Sequence, residues 1–471
     1  MTKLLCAFLL TLSLLVSGQQ NQQLFQMHYL GESNFLNPAV QSECKVFIGI
    51  PLLSSIHFNY ANSGFSYRQL VENTGDSTSQ LQIDRVVNRL GLRTLIATEL
   101  HFTWLALGYN FNDYYFAFSI IEKNNIPVTL SKDLFTLPWR GNTPFEGENA
   151  SSRGTAIYAM HYREFALGIS KQTGLGNFIG VKGKLLFGKL NAALPRSNVS
   201  LYTDPTYFDL TLDGELRMNL SAPLIIEEEN GQINSIAYDE SSDILQLILN
   251  RKNWGIAFDA GFIQQFNDRI SISGSIVDLG FIRWRSYLNN ISTSEEFTYR
   301  GILVDTGNVA ESIIDSITFE VSHDPYFTML PLKLYLGADY SLSEKVSLRG
   351  LTSAVIYRTK IVPALTLGAD YNPFGHFHLV GSYSLMYRAF NIVGLGFSIG
   401  RGPLQFYAIS DNIAGMIWPL SARNLNLRFG LNLNFGCREK EEKPDKYSLG
   451  IGHCPVYEKA LDRQKRRRRH R

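Results

Sequence analysis

The sequence predicts an all-β protein, a transmembrane antiparallel β-barrel of roughly 14 strands with an N-terminal plug and short accessory helices. Three observations predict this fold. The last strand alternates between apolar and polar residues, the alternating runs are long, and an export signal is followed by no segment like a transmembrane helix.

The last strand shows the pattern most clearly. Residues 424–435 read N-L-N-L-R-F-G-L-N-L-N-F. Successive side chains of a strand point to opposite faces, so one face carries leucine and phenylalanine and the other carries asparagine, arginine and glycine. Such a strand suits a wall with lipid outside and water inside, which is the pattern of a transmembrane β-barrel.

Residues 1–18 have the features of a signal peptide. Lys3 is basic, the apolar run Leu4–Val16 is too short to span a bilayer, and Ser17 and Gly18 are small enough for cleavage. No later segment resembles a transmembrane helix of about 20 apolar residues. An exported chain of this kind is either soluble or a barrel.

Residues 19–44 are polar and aromatic without a clear period. They contain Asn37, Pro38 and Ala39, and proline moves the residue before it away from helical geometry. We therefore expect an ordered turn within a plug for the lumen. A disordered periplasmic leader is the alternative.

Residues 45–436 contain the predicted barrel. Short links between alternating runs indicate an antiparallel meander. Three longer irregular segments, 123–155, 220–253 and 288–330, are expected to be extracellular or to fold over the lumen. The predicted strands are residues 45–50, 54–61, 65–71, 94–102, 103–111, 114–121, 156–162, 164–171, 178–187, 207–219, 254–266, 269–284, 332–341, 345–357, 364–371, 377–387, 392–399, 404–409 and 425–435.

Two stretches have the spacing of helices. Residues 83–90 place apolar side chains on one helical face, and Gly91 suits the end of that helix. Residues 244–249 are almost wholly apolar and follow Ser241 and Ser242, either of which suits an N-cap. These helices are expected to pack against the barrel ends. The alternative is a membrane-surface or partner-binding role.

A soluble β-sandwich whose sheets have one solvent-exposed face also shows alternating apolar and polar residues. Strand lengths of about 9–11 residues match a tilted membrane crossing better than the usual 5–6 of globular sheets. The apolar faces rarely carry charge or proline, which soluble edge strands commonly do. Lipid offers backbone groups no hydrogen-bond partners, so the sheet must close.

Searches for catalytic patterns favour a non-enzymatic protein. Residues 396–400 match the nucleophile-elbow pattern G-x-S-x-G, but Ser398 lies inside an alternating strand and no helix follows. The glycines at 394, 396 and 400 are better explained by a bend or by close approach of the plug. His376 and His378 have a spacing that can chelate a metal, but no third ligand is visible. We therefore expect no catalytic, cofactor-binding or metal-binding residues.

The mature chain has three cysteines, because Cys6 leaves with the signal peptide. Cys437 and Cys454 share the C-terminal tail, residues 437–471, and are candidates for a disulfide in an oxidising periplasm. Spacing alone does not fix the connectivity.

The tail is basic. Residues 438–471 hold 12 of the 44 Lys and Arg residues and 6 of the 42 Asp and Glu residues, which leaves 32 against 36 for the rest of the chain. Anionic headgroups or periplasmic polymers are candidate partners, and a solvated end with no fixed partner is the alternative. Nucleic acid is not expected for an exported chain. The most basic run is Lys465, Arg466, Arg467, Arg468 and Arg469.

Several motifs resemble known outer-membrane proteins of Bacteroidota. Residues 23–29, Q-L-F-Q-M-H-Y, followed by Asn-Pro-Ala at 37–39, resemble the start of PorP/SprF-type proteins, which are associated with type IX secretion and gliding. Residues 48–51, 55–56, 62–66 and 276–284 are similar to a related uncharacterised family with a FadL-like barrel. The resemblance covers most of the mature chain.

The resemblance implies an integral barrel in the outer membrane of a Gram-negative bacterium, with the C-terminal tail in the periplasm. It implies contact with membrane lipid and passage of small or hydrophobic molecules, but it supplies no substrate. The basic tail beyond the last strand departs from FadL-like barrels. That departure favours the alternative of an accessory or anchoring protein of a type IX secretion or gliding system, with a periplasmic or secretion-system protein as partner.

Overall fold

A computed structural model describes residues 21–73, 79–207, 209–229, 232–299, 318–357, 360–386 and 389–437. The predicted signal peptide and all of the tail except Cys437 lie outside these ranges. None of the described helices is long and apolar enough to cross a membrane. The α-helices are Gln22–Gln26, Tyr67–Leu70, Ile83–Arg89, Lys132–Arg140, Ile244–Ile248 and Ile413–Ile417, with 3-10 turns at Gly31–Phe35 and Thr143–Phe145.

Most of the described chain is β-strand. In chain order the strands are β1 (Cys44–Gly49), β2 (Ile56–Asn62), β3 (Val71–Asn73), β4 (Ser79–Leu81), β5 (Arg93–Phe111), β6 (Tyr114–Ser131), β7 (Asn149–Ser151), β8 (Ala156–Gly174), β9 (Asn177–Thr203), β10 (Leu210–Ser221), β11 (Leu224–Glu229), β12 (Gln232–Tyr238), β13 (Trp254–Gln265), β14 (Ile270–Trp284), β15 (Leu288–Tyr299), β16 (Glu320–Ser322), β17 (Tyr326–Met329), β18 (Leu332–Ser341), β19 (Val346–Tyr357), β20 (Lys360–Tyr371), β21 (Phe377–Met386), β22 (Ala389–Arg401), β23 (Leu404–Ser410) and β24 (Asn424–Cys437).

Antiparallel pairing closes the described strands into a barrel of 14 wall strands, which confirms the predicted fold class. Two wall strands are each made of two pieces, β1 with β2 and β17 with β18. The wall runs β1/β2, β5, β6, β8, β9, β13, β14, β17/β18, β19, β20, β21, β22, β23 and β24, and β24 pairs back to β1 and β2. The wall therefore has no open edge.

One side of the wall is taller than the rest. The first part of β9 pairs with β13, and its last part pairs with β10, which in turn pairs with β15. The chain leaves the wall between β10 and β13, and this excursion, residues 222–253, carries the β11–β12 hairpin and the helix Ile244–Ile248.

The two ends of the barrel differ. The hairpins β5–β6, β8–β9, β13–β14, β18–β19, β20–β21 and β22–β23 turn at one end, the short-turn end, where β1 begins and β24 finishes. The predicted turn at residues 110–113 lies there, with Asn112 at a φ of 55°, a conformation that asparagine tolerates. The opposite, long-loop end carries the segments 63–92, 132–155, 222–253 and 411–423.

The outer face of the wall is apolar. Large exposed side chains follow one another around the barrel, each on a different strand: Leu107, Phe116, Leu167, Val181, Phe258, Leu279, Leu336, Leu348, Leu367, Leu379, Val393, Leu404 and Phe435. The polar face of β24 points inward as expected, and Asn426, Arg428 and Asn432 are buried. Arg428 and Asn432 contact the N-terminal segment, where the sequence predicted water.

Several strand boundaries differ from prediction. Residues 94–102 and 103–111 form a single strand, β5, and residues 156–162 and 164–171 both belong to β8. The segments 123–155 and 288–330 start as strands, since β6 continues to Ser131 and β15 begins at Leu288. All of these differences have the same reason. The wall strands extend beyond the residues that alternate between apolar and polar side chains.

The predicted strand at 65–71 is wrong. Tyr67–Leu70 is a helical turn, because the Ser66 N–H donates to Gln69 Oε1 at 3.1 Å in a capping box. The helix Ile83–Arg89 is confirmed, and its C-cap is Leu90, which directly precedes Gly91.

The helix near residue 244 is also confirmed, but neither predicted serine is its N-cap. The Asp243 carboxylate accepts from the Leu245 N–H at 2.9 Å. The hydroxyls of Ser241 and Ser242 instead donate to Asp239.

Candidate functional site: the plugged lumen

The N-terminal segment fills the lumen towards the short-turn end, and we call residues 21–40 the plug. Phe25 stacks on Tyr335 of β18, with ring centroids 4.9 Å apart. Each large side chain buried in this way contributes about 1.5–3 kcal/mol. The apolar core between plug and wall consists of Leu24, Phe25, Met27, Leu30 and Leu36 from the plug and Val277, Tyr335, Leu351, Val380, Tyr407 and Ile409 from the wall.

Hydrogen bonds fix the start of the plug to the closing strands. The Gln23 backbone N–H donates to Asp411 Oδ1 at 3.0 Å, and its side-chain amide donates to Ser382 Oγ at 2.9 Å. Arg428 of β24 donates to Asn21 Oδ1 at 2.7 Å. A buried hydrogen bond that involves a charged group stabilises by about 1.5–3 kcal/mol.

A buried carboxyl group fixes the middle of the plug. Glu32 accepts from Ser54 Oγ at 3.1 Å and from Asn432 Nδ2 at 3.0 Å, and its side chain has no exposure to solvent. Burial raises the pKa of Glu32 to about 7, although these hydrogen bonds and Arg428 oppose the rise. Glu32 can therefore gain or lose its proton near neutral pH while it holds the plug.

The predicted motif residues Asn37, Pro38 and Ala39 form an ordered turn at the end of the plug. The Asn37 side-chain oxygen accepts from the Ala39 N–H at 3.0 Å, and its amide donates to Phe262 O at 3.3 Å. Two wall glycines, Gly180 and Gly261, lie against this turn, and a Cβ on either one would overlap Pro38 or Asn37. The turn docks where the wall has no side chains.

Gly180→Val is expected to displace the turn at residues 37–39 and to raise leak conductance in planar bilayers, because the added side chain occupies the space of Pro38. Gly183→Val is the matched control. It lies on the same strand, and a Cβ at Gly183 meets nothing within 4 Å. Equal conductance for the two variants would contradict the docking role of Gly180.

An ion cluster covers the lumen wall next to the plug. Lys184 Nζ lies 2.6 Å from Asp278 Oδ1 and 2.8 Å from Asp259 Oδ2. The cluster contains three lysines and three carboxylates, all buried: Lys123, Lys184, Lys333, Glu164, Asp259 and Asp278. Equal numbers of opposite charges and short contacts make it a closed network. No pattern in the sequence points to this cluster, because its members lie on six different strands.

A small cavity of about 30 Å³ separates the plug from the ion cluster. Leu24 and Phe35 border it from the plug, and Lys123, Asp278 and Arg428 border it from the wall. This volume holds little more than one water molecule. The plug and the ion cluster therefore pack closely around this cavity.

A larger cavity of about 350 Å³ lies in the long-loop half of the lumen. It mixes apolar and polar walls, a combination typical of binding sites for small molecules. Its lining is Ala97, Thr98, Glu99, Asn125, Pro127, Tyr158, Met160, Pro195, Arg196, Arg217, Asn219, Phe327, Thr328, Met329, Leu330 and Pro331. We call it the upper cavity.

A packed layer borders the upper cavity, and Met160 and Leu330 belong to both. Trp284 is fully buried in this layer, and its ring N–H donates to Thr328 Oγ1 at 3.1 Å. Glu99, also on the cavity wall, lies 3.7 Å from His57 Nε2. Buried apolar and hydrogen-bonded groups thus form part of the cavity wall.

Other residues singled out from the sequence have structural roles. Ser398 is buried within β22, and a Cβ on Gly394 or Gly396 would overlap the Gln23 side chain, so the expected close approach of the plug is confirmed there. At Gly400 a Cβ would meet only Leu404 and Gln405, so the plug does not explain that glycine.

His376 and His378 make different contacts. The His378 ring stacks on Tyr29 of the plug at 3.6 Å, and its Nδ1 lies 3.2 Å from Asp370 Oδ1. His376 stacks instead on Phe374. Among the described residues no group of three or more His, Cys, Asp or Glu side chains is arranged to hold a metal ion.

Cys44, at the start of β1, and Cys437, at the end of β24, are both disulfide-bonded. The bond at Cys44 was missed from the sequence. The candidate disulfide between Cys437 and Cys454 stays a prediction. Cys454 and the basic run Lys465–Arg469 lie outside the described residues.

The chain is similar to several solved structures at low sequence identity. A TodX monoaromatic hydrocarbon channel deltaS2 mutant is 10% identical with a TM-score of 0.42, and the alignment covers 86% of this chain and 95% of that one. The CymD monoaromatic hydrocarbon channel is 10% identical with a TM-score of 0.39, over 86% and 92%. A Pseudomonas aeruginosa FadL homologue is 11% identical with a TM-score of 0.39, over 86% and 94%.

No curated protein matches the sequence. Residues 38–411, which include the motif at 37–39 from Pro38 onward and nearly all of the wall, match a described protein family. That match spans most of the chain, and the chain therefore belongs to the family of unknown function DUF5723.

Proposed function

We propose that this protein is a non-enzymatic outer-membrane barrel that receives a small, mainly apolar molecule in the upper cavity and passes it on when the plug moves. The observation that carries the proposal is a closed wall with an apolar exterior around a lumen that holds both a cavity and a plug. Membrane barrels with short turns at one end place those turns in the periplasm. The plug and the C-terminal tail then belong to the periplasmic side.

The outer surface supports the membrane location. Aromatic side chains cluster near the short turns, including Tyr109, Phe111 and Tyr114, all exposed. Farther from the short turns, Trp104 donates to Glu122 and lies beneath Arg163. These three outward-facing residues combine charged groups with an aromatic ring. Two such borders around an apolar belt fit the two interfaces of a membrane.

The chemistry of the upper cavity indicates the kind of ligand. Pro127, Met160 and Leu330 offer apolar surface, whereas Asn125 and Arg217 offer hydrogen bonds. A molecule with a hydrocarbon body and at least one polar group matches these walls. Its exit towards the periplasm requires rearrangement, since the plug and the ion cluster fill the lumen below.

Met160→Trp is expected to fill the upper cavity and abolish binding of N-phenyl-1-naphthylamine, a small apolar fluorescent probe. The Met160 side chain is 3% exposed and lines the cavity, so the indole takes ligand volume. Leu365→Trp is the control, because Leu365 is 43% exposed on the outer face. Probe fluorescence on purified barrels reports binding. Equal binding by both variants would refute the cavity as the site.

The filled lumen also favours a second function, an accessory or anchor protein that transports nothing. We propose for this case that the basic tail docks a periplasmic component of a secretion or gliding system. Deleting residues 438–471 keeps Cys437 and is expected to abolish co-purification of partners and leave probe binding intact. Retained partners with altered probe binding would instead support the transport proposal.

A further inference from the structure

The end of the excursion between β10 and β13, around Asn250, lies on the outer side of the wall. Lys189 of β9 points outward, because its Nζ lies 6.0 Å from the ring centroid of outward-facing Phe187. That Nζ donates to Asn250 O at 2.7 Å, and Lys189 is only 2% exposed. The chain around Asn250 therefore covers the outside of the barrel at β9.

The helix just before Asn250 exposes almost only apolar side chains. From Ile244 to Asn250 the chain carries no charged residue. Four large side chains of this short segment are between 38% and 67% exposed: Ile244, Leu245, Ile248 and Leu249. Leaving this many large apolar groups in water is costly, at about 25 cal/mol per Å² of apolar surface.

Neighbouring residues indicate how far along the barrel axis this helix lies. Trp254 begins β13 only a few residues later, is 38% exposed, and pairs with Phe187. Phe187 in turn pairs with Arg163, which packs on Trp104. These aromatic and charged groups mark the upper border of the apolar belt, where tryptophan and basic side chains meet lipid headgroups.

We infer that residues 244–252 form an interfacial anchor that docks into the lipid leaflet at the long-loop end. The apolar side chains of Ile244–Leu249 enter the acyl region, and exposed Arg251 and Lys252 bind lipid phosphate groups. The anchor rests on the membrane location given under Proposed function. It adds a second lipid contact, made by a segment outside the wall.

The helix continues the apolar outer face of the wall, and this continuity favours lipid as the molecule that contacts it. The helix lies on the same outer surface as Trp254 and Phe258, which face outward on the next strand. A protein partner or a second copy of this chain would have to displace the lipid that the rest of this surface already contacts. The sequence Ile244–Trp254 also places apolar, basic and aromatic residues in the order expected for crossing from acyl chains to headgroups.

The first test places a reporter on the helix. Leu245→Trp is reconstituted into lipid nanodiscs of phosphatidylcholine and phosphatidylglycerol with brominated acyl chains. Most of the added fluorescence is expected to be quenched, because bromine quenches tryptophan on contact. Leu81→Trp is the matched control, as Leu81 is 58% exposed on β4 in the loop between β2 and β5. An unquenched reporter at 245 overturns the inference.

The same experiment separates this inference from the proposed function. Trp104 and Trp254 of the unmodified protein report whether the barrel itself lies in lipid. Quenching of these residues without quenching at 245 refutes the anchor alone. Absence of quenching from all of them refutes the membrane location.

A second variant removes the apolar contact. In nanodiscs, trypsin cleavage after Arg251 or Lys252 is expected to be several-fold faster for Leu245→Ser/Leu249→Ser than for the unmodified protein, since the anchor no longer shields these bonds. Ile236→Ser, on exposed β12, is the control. Heat-modifiable gel mobility verifies that each variant retains its barrel. An unchanged cleavage rate in the double variant overturns the inference.

Discussion

Asp278→Asn is expected to destabilise the barrel by about 3–5 kcal/mol, the usual cost of removing one partner from a buried ion pair. Asp278 is 2% exposed and accepts from Lys184 at 2.6 Å and from Lys333 at 3.0 Å. Without its charge, three buried lysines face only two carboxylates, and the cluster carries excess positive charge. Urea unfolding in detergent, followed by gel mobility, measures the loss.

An exposed ion pair provides the control for that experiment. Glu215 accepts from Arg196 at 2.6 Å, but their side chains are 42% and 61% exposed. Solvent screens such a pair, so Glu215→Gln is expected to change stability very little. Adding Lys333→Met to Asp278→Asn is expected to recover part of the stability, because it removes one of the unbalanced charges. Similar losses for Asp278→Asn and Glu215→Gln would contradict the role of the ion cluster.

Plug docking is expected to strengthen as pH falls from 8 to 5. The pKa of Glu32 is raised by burial to about 7, so the docked plug favours the protonated carboxyl group. This contribution is fully present below the ordinary pKa of 4.5 and is lost as pH rises through about 7. The difference corresponds to roughly 3 kcal/mol. Asp411, which accepts from the Gln23 N–H, has a pKa raised by burial to about 6 and acts in the same direction.

Leak conductance in planar bilayers measures this effect and is expected to be lower at pH 5 than at pH 8. Glu32→Gln imitates the protonated carboxyl group, so its conductance at pH 8 is expected to fall towards the pH 5 value. The remaining pH dependence then belongs to Asp411, and Asp411→Asn tests that assignment. A conductance that rises on acidification would contradict the proposed linkage.

The wall was predictable because its requirements are local. An outward position must be apolar whatever the neighbouring strand is, so the alternation along β24 reveals its faces directly. The plug contact at Gly394 and Gly396 was also predictable, because glycines repeated on one face indicate close approach by another chain segment. The ends of the strands were less predictable, because β5 and β8 continue through points where the alternation of apolar and polar residues weakens.

The ion cluster was not predictable, because its six members come from six different strands. Lys123, Lys184 and Asp278 look like separate polar residues until the register brings them together. The register near Asp278 is also shifted, by an irregularity in β13–β14 pairing between Phe258 and Ala260. A shift of one residue reverses the face of a side chain, so no periodic pattern places this carboxylate correctly.

The position of the plug contacts has a consequence for assembly. Arg428 and Asn432 belong to the last strand, Ser54 connects the two pieces of the first wall strand, and all three contact the plug. Asn432 and Glu32 are 400 residues apart in the chain. The binding surface for the N-terminal residues is complete only after the final strand has joined the first. The plug is synthesised before the wall but binds after it. Its binding therefore indicates that the barrel has closed correctly.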